Sequence, residues 1–486
     1  MSRYLFFIFY ALLLLGIGIY GMKRTKTFSD FFLGSRAIGP WLSAFTYGTA
    51  YFSAVIFVGF AGKIGWGFGY SALWVAIGNA LIGTLFVWAV MGKRIRKASI
   101  EMNAYTMPEF LQVRYKSNFL KIFTAITIFV FLVPYAASVF MGLSYLFEIN
   151  FNIKFEYILI LMAVLISLYM ILGGFKSVVL VDVIQGTIMI FGVILLVYFS
   201  IKNGGGLSSI TNKLSSIDPK LSQVIGPPGF FPLLFIVIIT SVAPLAMPQL
   251  VQKFYSIKDD RSIKSGTIIC TIFAIVVAGS AYFFGSLTRV FLSPQTHPET
   301  FADKIHFVDK LVPTLIKTTI PQGLNFVILL LVLSASMSTL AALVLVSSSS
   351  IVKDLYHGFV KPKASDKKLN LLMRIMCAVF ILTSIFITLL RPAVILTLLV
   401  ISWGAIAAVF LSPFIYGLFW KKANKIAAEI SSVLGLAITL TLFFILPRNQ
   451  IPFIATLGMG IPMITFPLIV WITRKKDNNY KCKEVL

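Results

Sequence analysis

The sequence predicts an all-α polytopic membrane protein, and three observations carry that prediction. Of 486 residues, 58% are hydrophobic and 12% charged, whereas soluble domains hold about 45–50% apolar and about 25% charged residues. The apolar residues fall in runs of roughly the ~20 residues that a helix needs to cross a ~30 Å hydrocarbon core. The 42 Lys and Arg, against 17 Asp and Glu, lie almost entirely in the gaps between those runs. In a soluble domain a net charge of +25 would point to nucleic acid; placed in the gaps it marks cytoplasmic loops, where basic residues accumulate. An ordinary soluble enzyme is excluded, no nucleic-acid partner is expected, and the lipid bilayer is the expected surrounding.

Thirteen candidate spans follow, at 4–22, 39–62, 70–92, 120–147, 156–173, 179–201, 231–251, 266–291, 324–351, 370–390, 393–420, 425–446 and 451–473, in a single transmembrane domain, 1–486. The first span carries its basic flank, Lys23-Arg24-Thr25-Lys26, behind it and has no small-residue cleavage site, so it reads as a retained helix with its N-terminus outside. An odd number then places the C-terminus in the cytoplasm, with the clusters Lys93-Arg94-Ile95-Arg96-Lys97, Lys421-Lys422 and Arg474-Lys475-Lys476. The expected location is the plasma membrane, crossed many times. Loops 201–230 and 292–323 then face outside. The second, with His297, Lys304, His306 and Asp309, reads as a solvated loop holding a short amphipathic helix. Cys270 and Cys377 lie in apolar runs and Cys482 in the basic tail, with no spacing that suggests a metal or redox site.

Two spans are poor helices. The second clusters Gly48, Thr49 and Ser53 near its middle, and the seventh carries Thr240, Ser241, Pro244 and Pro248. Non-helical backbone at membrane depth is tolerated only where it is buried in protein or lines a cavity. Two interrupted spans five helices apart therefore point to a binding site between two five-helix repeats.

Ionisable groups within the apolar runs are scarce, and the exception is Asp182, separated by seven residues from the Gly-Gly break at 173–174. An intramembrane carboxylate is costly and by default functional; here it meets a cation in transit or an inner-gate partner such as Lys176, or it snorkels to the interface, and ion release or gating is the favoured role. One Asp makes a poor proton relay. A small hard cation such as Na⁺ instead needs neutral oxygens from hydroxyls and from carbonyls freed by broken helices. The ninth span offers Ser338 and Thr339, which project about 100° apart on a helix and can both reach one ion held against the broken second span.

With these residues in view, the chain resembles the sodium:solute symporter family over nearly its whole length. The resemblance rests on Phe32-Leu33-Gly34-Ser35-Arg36, Gly173-Gly174-Phe175-Lys176 followed by Asp182 and Gln185, and Pro248 with Gln252-Lys253-Phe254. It rests equally on Met337-Ser338-Thr339 followed by Ser348-Ser349-Ser350-Ile351 and Lys353-Asp354-Leu355-Tyr356. It implies a leucine-transporter-like fold: a leading helix (4–22), inverted five-helix repeats (39–201 and 231–420), trailing helices (425–473) and a cytoplasmic tail (474–486). It also implies Na⁺ as coupling ion, held by the carbonyls of Thr49, Phe52 and Ala335 and the hydroxyls of Ser338 and Thr339. The implied activity is secondary active symport of a small organic solute by alternating access, with no covalent chemistry, in a monomer or weak dimer.

Departures from relatives narrow this expectation. Where proline-type members carry an Asp in the second span, this chain has Tyr51, followed by Phe52-Ser53, which looks more like the pantothenate type. Members with a second sodium site add hydroxyls one turn beyond the Ser-Thr pair, where this chain has Ala341 and Ala342, so one sodium per substrate is expected. Substrate-pocket candidates are Tyr51, Ser53, Phe57, Trp74, Ser241 and Trp403. With no Arg or Lys at that depth, a carboxylate there depends on helix N-termini, hydroxyls and the neighbouring ion. Pantothenate-like carboxylates lead, followed by amino acids such as proline; the alternatives are sialic acid, sugars, or a proton-coupled transporter of the same fold. A sensor, a channel and a membrane-embedded enzyme fit less well, for want of a signalling domain, a lined pore and a catalytic constellation respectively.

Overall fold

A computed structural model describes residues 2–24, 28–33, 36–151 and 153–473. The tail 474–486 with its basic cluster and Cys482, the flank residues Thr25 and Lys26, and Gly34-Ser35 lie outside the described residues. Those described form helices joined by short turns, and the one β-type pairing among them is an isolated bridge between Ile38 and Ile257.

The first span is α1 (Ser2–Arg24). The second begins as α2 (Pro40–Tyr51), with Pro40 at the first helical position, where its missing N–H costs nothing. The helix then stops: Phe52 leaves helical space at φ −96°, ψ 84°. Ser53 restarts it, its hydroxyl accepting the Val55 N–H at 3.2 Å and its carbonyl the Ile56 N–H at 3.0 Å. The chain continues through a π-helical turn, Val55–Phe60, into α3 (Ala61–Phe68). Gly69, at φ +60° with its backbone against Leu221, turns the chain back into α4 (Leu73–Ala80), whose helix runs on to Glu101. A side chain at Gly69 would collide with the Leu221 carbonyl.

A short helix, α5 (Met107–Tyr115), precedes the long α6 (Asn118–Phe151) and α7 (Phe155–Asn203). The last is two spans joined at the Gly-Gly break, where Gly174 sits at φ +62° with Phe31 against its α-carbon. The seventh span is also broken. α8 (Phe230–Val242) gives way to a tight turn, Ala243–Ala246, and an extended Met247, and Pro248 opens α9 (Pro248–Tyr255) at a bend of 41°. There follow α10 (Asp260–Ser286), α11 (Phe307–Thr319), α12 (Asn325–Ser349), α13 (Asp366–Leu390), α14 (Ile395–Phe419), α15 (Lys425–Ile445) and α16 (Ile451–Thr473). The short helix expected in loop 292–323 is thus present as α11.

The count of thirteen spans is not established. Among the described residues nine helices are long and apolar enough to cross a membrane, or ten if the bent α8–α9 pair is one span. The difference lies in α1 and the first half of α7, whose side chains are described only over Ile8–Lys23 and Phe155–Ser167 within this part of the chain, and in Val55–Glu101, which passes as one run despite the turn at Gly69.

Packing follows from the composition of the spans. α12 and α14 are buried almost along their whole length, whereas α13 and α15 each keep one face on the outside. Ser and Thr in α12 do not prevent this, because a buried hydroxyl in a helix bonds back to a carbonyl one turn earlier, as Ser336 does to Val332 at 2.6 Å. α12 lies against α6 and α7, and also against α2, so the Ser-Thr pair faces the broken second span.

Candidate functional site

Ser338 and Thr339, adjacent on α12, meet the last turn of α2. The Ser338 hydroxyl lies 2.6 Å from Asp182 Oδ1 and 2.8 Å from Thr49 Oγ1, and donates to this pair. The Thr49 hydroxyl itself donates to the Phe45 carbonyl at 2.8 Å. The Thr339 hydroxyl donates to the carbonyls of Thr49 at 3.2 Å and Ala50 at 3.3 Å. Thr49, Ser338, Thr339 and Asp182 are all buried. Ala335 stands one turn before Thr339 on the same helix. Phe52 sits at the break itself, where its non-helical ψ swings its carbonyl off the axis of α2.

These are neutral oxygens of the kind that hold a hard cation, with a carboxylate added at one edge. In the conformation seen they hold one another.

The aromatic candidates divide. Tyr51 is buried, stacks on Phe52 at 4.5 Å and lies 6.2 Å from Trp403, and its hydroxyl donates to the Thr240 carbonyl in the other broken span at 2.7 Å. Ser53, Ser241 and Phe57 are also buried. Ser241 reaches the Asn79 side chain at 3.3 Å. Trp74 is not brought to this group. It is 43% exposed and donates its indole N–H to the Val224 carbonyl in loop 201–230. Tyr47, Trp88 and Phe254 close on one another with ring centroids 4.9–5.6 Å apart, joining α2, the helix after α4, and α9.

With the geometry in hand, comparison with known proteins decides the family. A sequence profile described as the sodium:solute symporter family matches residues 31–435. The chain belongs to this family. It is similar to a sodium/pantothenate symporter of Haemophilus influenzae, at 31% identity over 88% of each chain. It is also similar to a sodium/proline symporter of the same organism, at 28% identity over 88% of this chain and 86% of that one. Among solved structures it superposes on a Na⁺-coupled sialic acid symporter in a substrate-bound outward-open state, with a TM-score of 0.80 over 96% of this chain and 98% of that one. At 18% identity that likeness gives the fold, which is leucine-transporter-like. The molecule is a sodium-coupled symporter and not an enzyme.

In this symporter several residues that sequence reading passed over stand at the site. Where the sequence suggested Lys176, the cation facing Asp182 is Lys253, whose ammonium lies 3.9 Å from Oδ2, with the Phe175 ring 5.2 Å from it. Both partners are buried, so Asp182 does not snorkel to the interface. Tyr135 packs edge-on to Trp403 at 5.8 Å, with its hydroxyl beside Ser53. With its side-chain amide turned, Asn79 donates to the Thr240 carbonyl at 3.1 Å. An amide inside the apolar run 70–92 was the signal for Asn79. Tyr135 had none, since a Tyr in an apolar run is ordinarily packing.

The symporter also carries a buried acid outside the spans. Asp309 on α11 accepts the Ile395 N–H at the start of α14 at 3.1 Å, and its other oxygen has no hydrogen-bond partner among the described residues. Burial pushes its carboxyl up to about 7, the Ile395 N–H and Lys63 opposing the shift and Asp303 adding to it. The folded protein therefore keeps a proton that the unfolded chain releases above about pH 4. Stability from this group is fully present below that pH and is lost as pH rises through about 7. Asp309→Asn, whose amide oxygen still accepts the Ile395 N–H, is expected to flatten the fall in melting temperature between about pH 5 and 8. Equal slopes for variant and parent in a thermal melt across that range refute the assignment.

Proposed function

We propose that the chain couples inward Na⁺ movement to uptake of a pantothenate-like organic carboxylate, with amino acids such as proline as the next candidate class. One observation carries the ion site: the Ser338 and Thr339 hydroxyls meet the end of the broken second span and Asp182 in one buried cluster. In this reading the carbonyls of Thr49, Phe52 and Ala335 join the two hydroxyls as ligands. The solute lies beside them among Tyr51, Ser53, Phe57, Ser241 and Trp403, between the two breaks. Repeats at 39–201 and 231–420 rock about that site, with the N-terminus outside and the C-terminus cytoplasmic, in a monomer or weak dimer.

Mechanism follows from the breaks. Na⁺ binding ties α2 to α12 and so fixes one arrangement of the broken second span, the outward-open one. The solute then finds a finished pocket, so that its affinity rises with Na⁺, and by linkage Na⁺ affinity rises with solute. Closure of the outer side is followed by parting of the Tyr47, Trp88 and Phe254 rings, which opens the inner side. Lys253 beside Asp182, together with Ala341 and Ala342 where further hydroxyls would stand, supports a single Na⁺ per solute.

Thermal melting of the purified protein with pantothenate, proline, sialic acid and glucose, run in Na⁺ and again in K⁺, tests this reading, since a ligand of the folded state raises the melting temperature. Stabilisation by pantothenate or proline that is clearly larger in Na⁺ than in K⁺ is the expected result. Stabilisation only by sialic acid or glucose moves the substrate class and leaves the coupling intact. Equal stabilisation in both salts removes the coupling site proposed above.

A further inference from the structure

On the outer surface of the helix bundle, α8, α14 and α16 part along an apolar groove of about 490 Å³. Its walls include Ile238 of α8, Leu411, Ile415 and Phe419 of α14, and Met463 of α16. Phe86, on the helix that continues α4, borders it and is 42% exposed. Gly460 leaves its backbone bare to the groove, since a β-carbon there meets no atom within 4 Å. The one hydroxyl in the lining, Thr456, is turned back onto the Pro452 carbonyl at 2.8 Å. From Leu411 to Phe419 the groove follows α14 for about 12 Å, most of one leaflet's half of a ~30 Å hydrocarbon core. It also touches Leu245 in the turn between α8 and α9, and so reaches the break in the seventh span.

Past Phe419 the character changes. The Arg94 guanidinium stands 4.5 Å over the Phe419 ring, and Lys421 and Lys422 follow at once in the chain. All three cations are exposed, and none has an ion-pair partner among the described residues. The acids nearby are already engaged: Asp260 with Arg96 at 3.2 Å, Glu101 with Lys97 at 3.7 Å and Glu429 with Lys425 at 3.8 Å. Tyr416, Trp420 and Phe466 gather at the same end, with Tyr416 stacked on Phe466 at 4.5 Å and 5.5 Å from Trp420. Amphipathic rings of this kind settle at headgroup level. The groove is thus apolar along the span and cationic where the span meets the interface.

We propose that this groove holds one anionic phospholipid, an acyl chain lying along α14 and the phosphate meeting Arg94, Lys421 and Lys422. A recess without polar groups on the face of a membrane helix bundle is filled by hydrocarbon, and basic residues where such a recess opens at the surface select an anionic head group. The planar guanidinium of Arg94 suits two phosphate oxygens at once. A zwitterionic lipid brings its own cation and gains less from the three. The chain end beside Leu245 braces the break in the seventh span against α14 and α16. The site depends neither on which solute is carried nor on the Na⁺ cluster; the proposed topology decides only that the leaflet is the cytoplasmic one.

The test is native mass spectrometry of the purified, delipidated full chain titrated with dioleoyl-phosphatidylglycerol or with dioleoyl-phosphatidylcholine. The first phosphatidylglycerol is expected to bind more tightly than the first phosphatidylcholine. Arg94→Gln is expected to weaken it about fivefold, and Lys421→Gln with Lys422→Gln more, while phosphatidylcholine binding stays as in the parent. Gly460→Leu puts a side chain into space that is open in the parent, so it is expected to weaken the first phosphatidylglycerol about tenfold or more and to leave the melting temperature in lipid-free detergent unchanged. Excess glycerol 1-phosphate, the head group without its chains, is expected not to displace the lipid. Equal affinity for the two lipids, or parental binding in both Arg94→Gln and Gly460→Leu, overturns the site. Binding lost in Arg94→Gln but parental in Gly460→Leu, or displaced by glycerol 1-phosphate, leaves a charged surface with no chain in the groove and overturns it as well.

Discussion

Ser338→Ala and Thr339→Ala are each expected to weaken Na⁺ affinity at least tenfold, and the double variant is expected to lose Na⁺-dependent uptake. The Ser338 hydroxyl donates at 2.6 Å to a buried carboxylate and touches the Thr49 hydroxyl, so its loss leaves Asp182 short of a donor and removes one proposed ion ligand. Hydrogen bonds to charged groups are worth about 1.5–3 kcal/mol, or roughly 10–150-fold in an equilibrium constant. Thr339 bridges two carbonyls at the end of α2, and its loss frees the broken span from α12. Because the two side chains share one cluster, their effects do not add. The measurement is the Na⁺ concentration giving half-maximal uptake in proteoliposomes. Single variants with parental Na⁺ dependence and parental rate would remove the pair from the ion site.

That the break in the second span and the hydroxyl pair facing it could be read from the sequence has a simple cause. Gly, Thr and Ser gathered at one depth of a membrane span serve either close helix packing or a break in the backbone, and here the structure ends α2 at Tyr51 and restarts the helix with the Ser53 cap. The same logic located the bends at Gly174 and before Pro248. Lys253 was not legible, because it follows the last apolar residues of the seventh run and so reads as the first charge of a cytoplasmic loop. Only the 41° bend before α9, which turns that segment back under the core, buries it beside Asp182. Trp74 misled for the converse reason. Its aromatic ring fits a pocket or an interface equally well in sequence, and three-dimensional placement alone puts it against loop 201–230.

The buried Asp182 and Lys253 pair gives the second large effect. Both groups are fully enclosed, 3.9 Å apart, so removing one strands the other. Breaking such a pair costs about 3–5 kcal/mol, whereas replacing both members by neutral groups is often close to neutral. Lys253→Met is therefore expected to lower the melting temperature sharply and to reduce the yield of folded protein, and Asp182→Asn added to it to restore most of both. The ammonium also occupies the side of Asp182 from which a second cation would be drawn. In Lys253→Met that carboxylate is left without its cation, so Na⁺ is expected to recover part of the lost stability where K⁺ does not, and the Na⁺ dependence of uptake to steepen from a Hill coefficient near one. A Lys253→Met protein as stable as its parent would show that the pair carries no structural charge balance. A parental Hill coefficient already near two would show that Asp182 serves a second ion despite Lys253, and with it the single-sodium stoichiometry would fall.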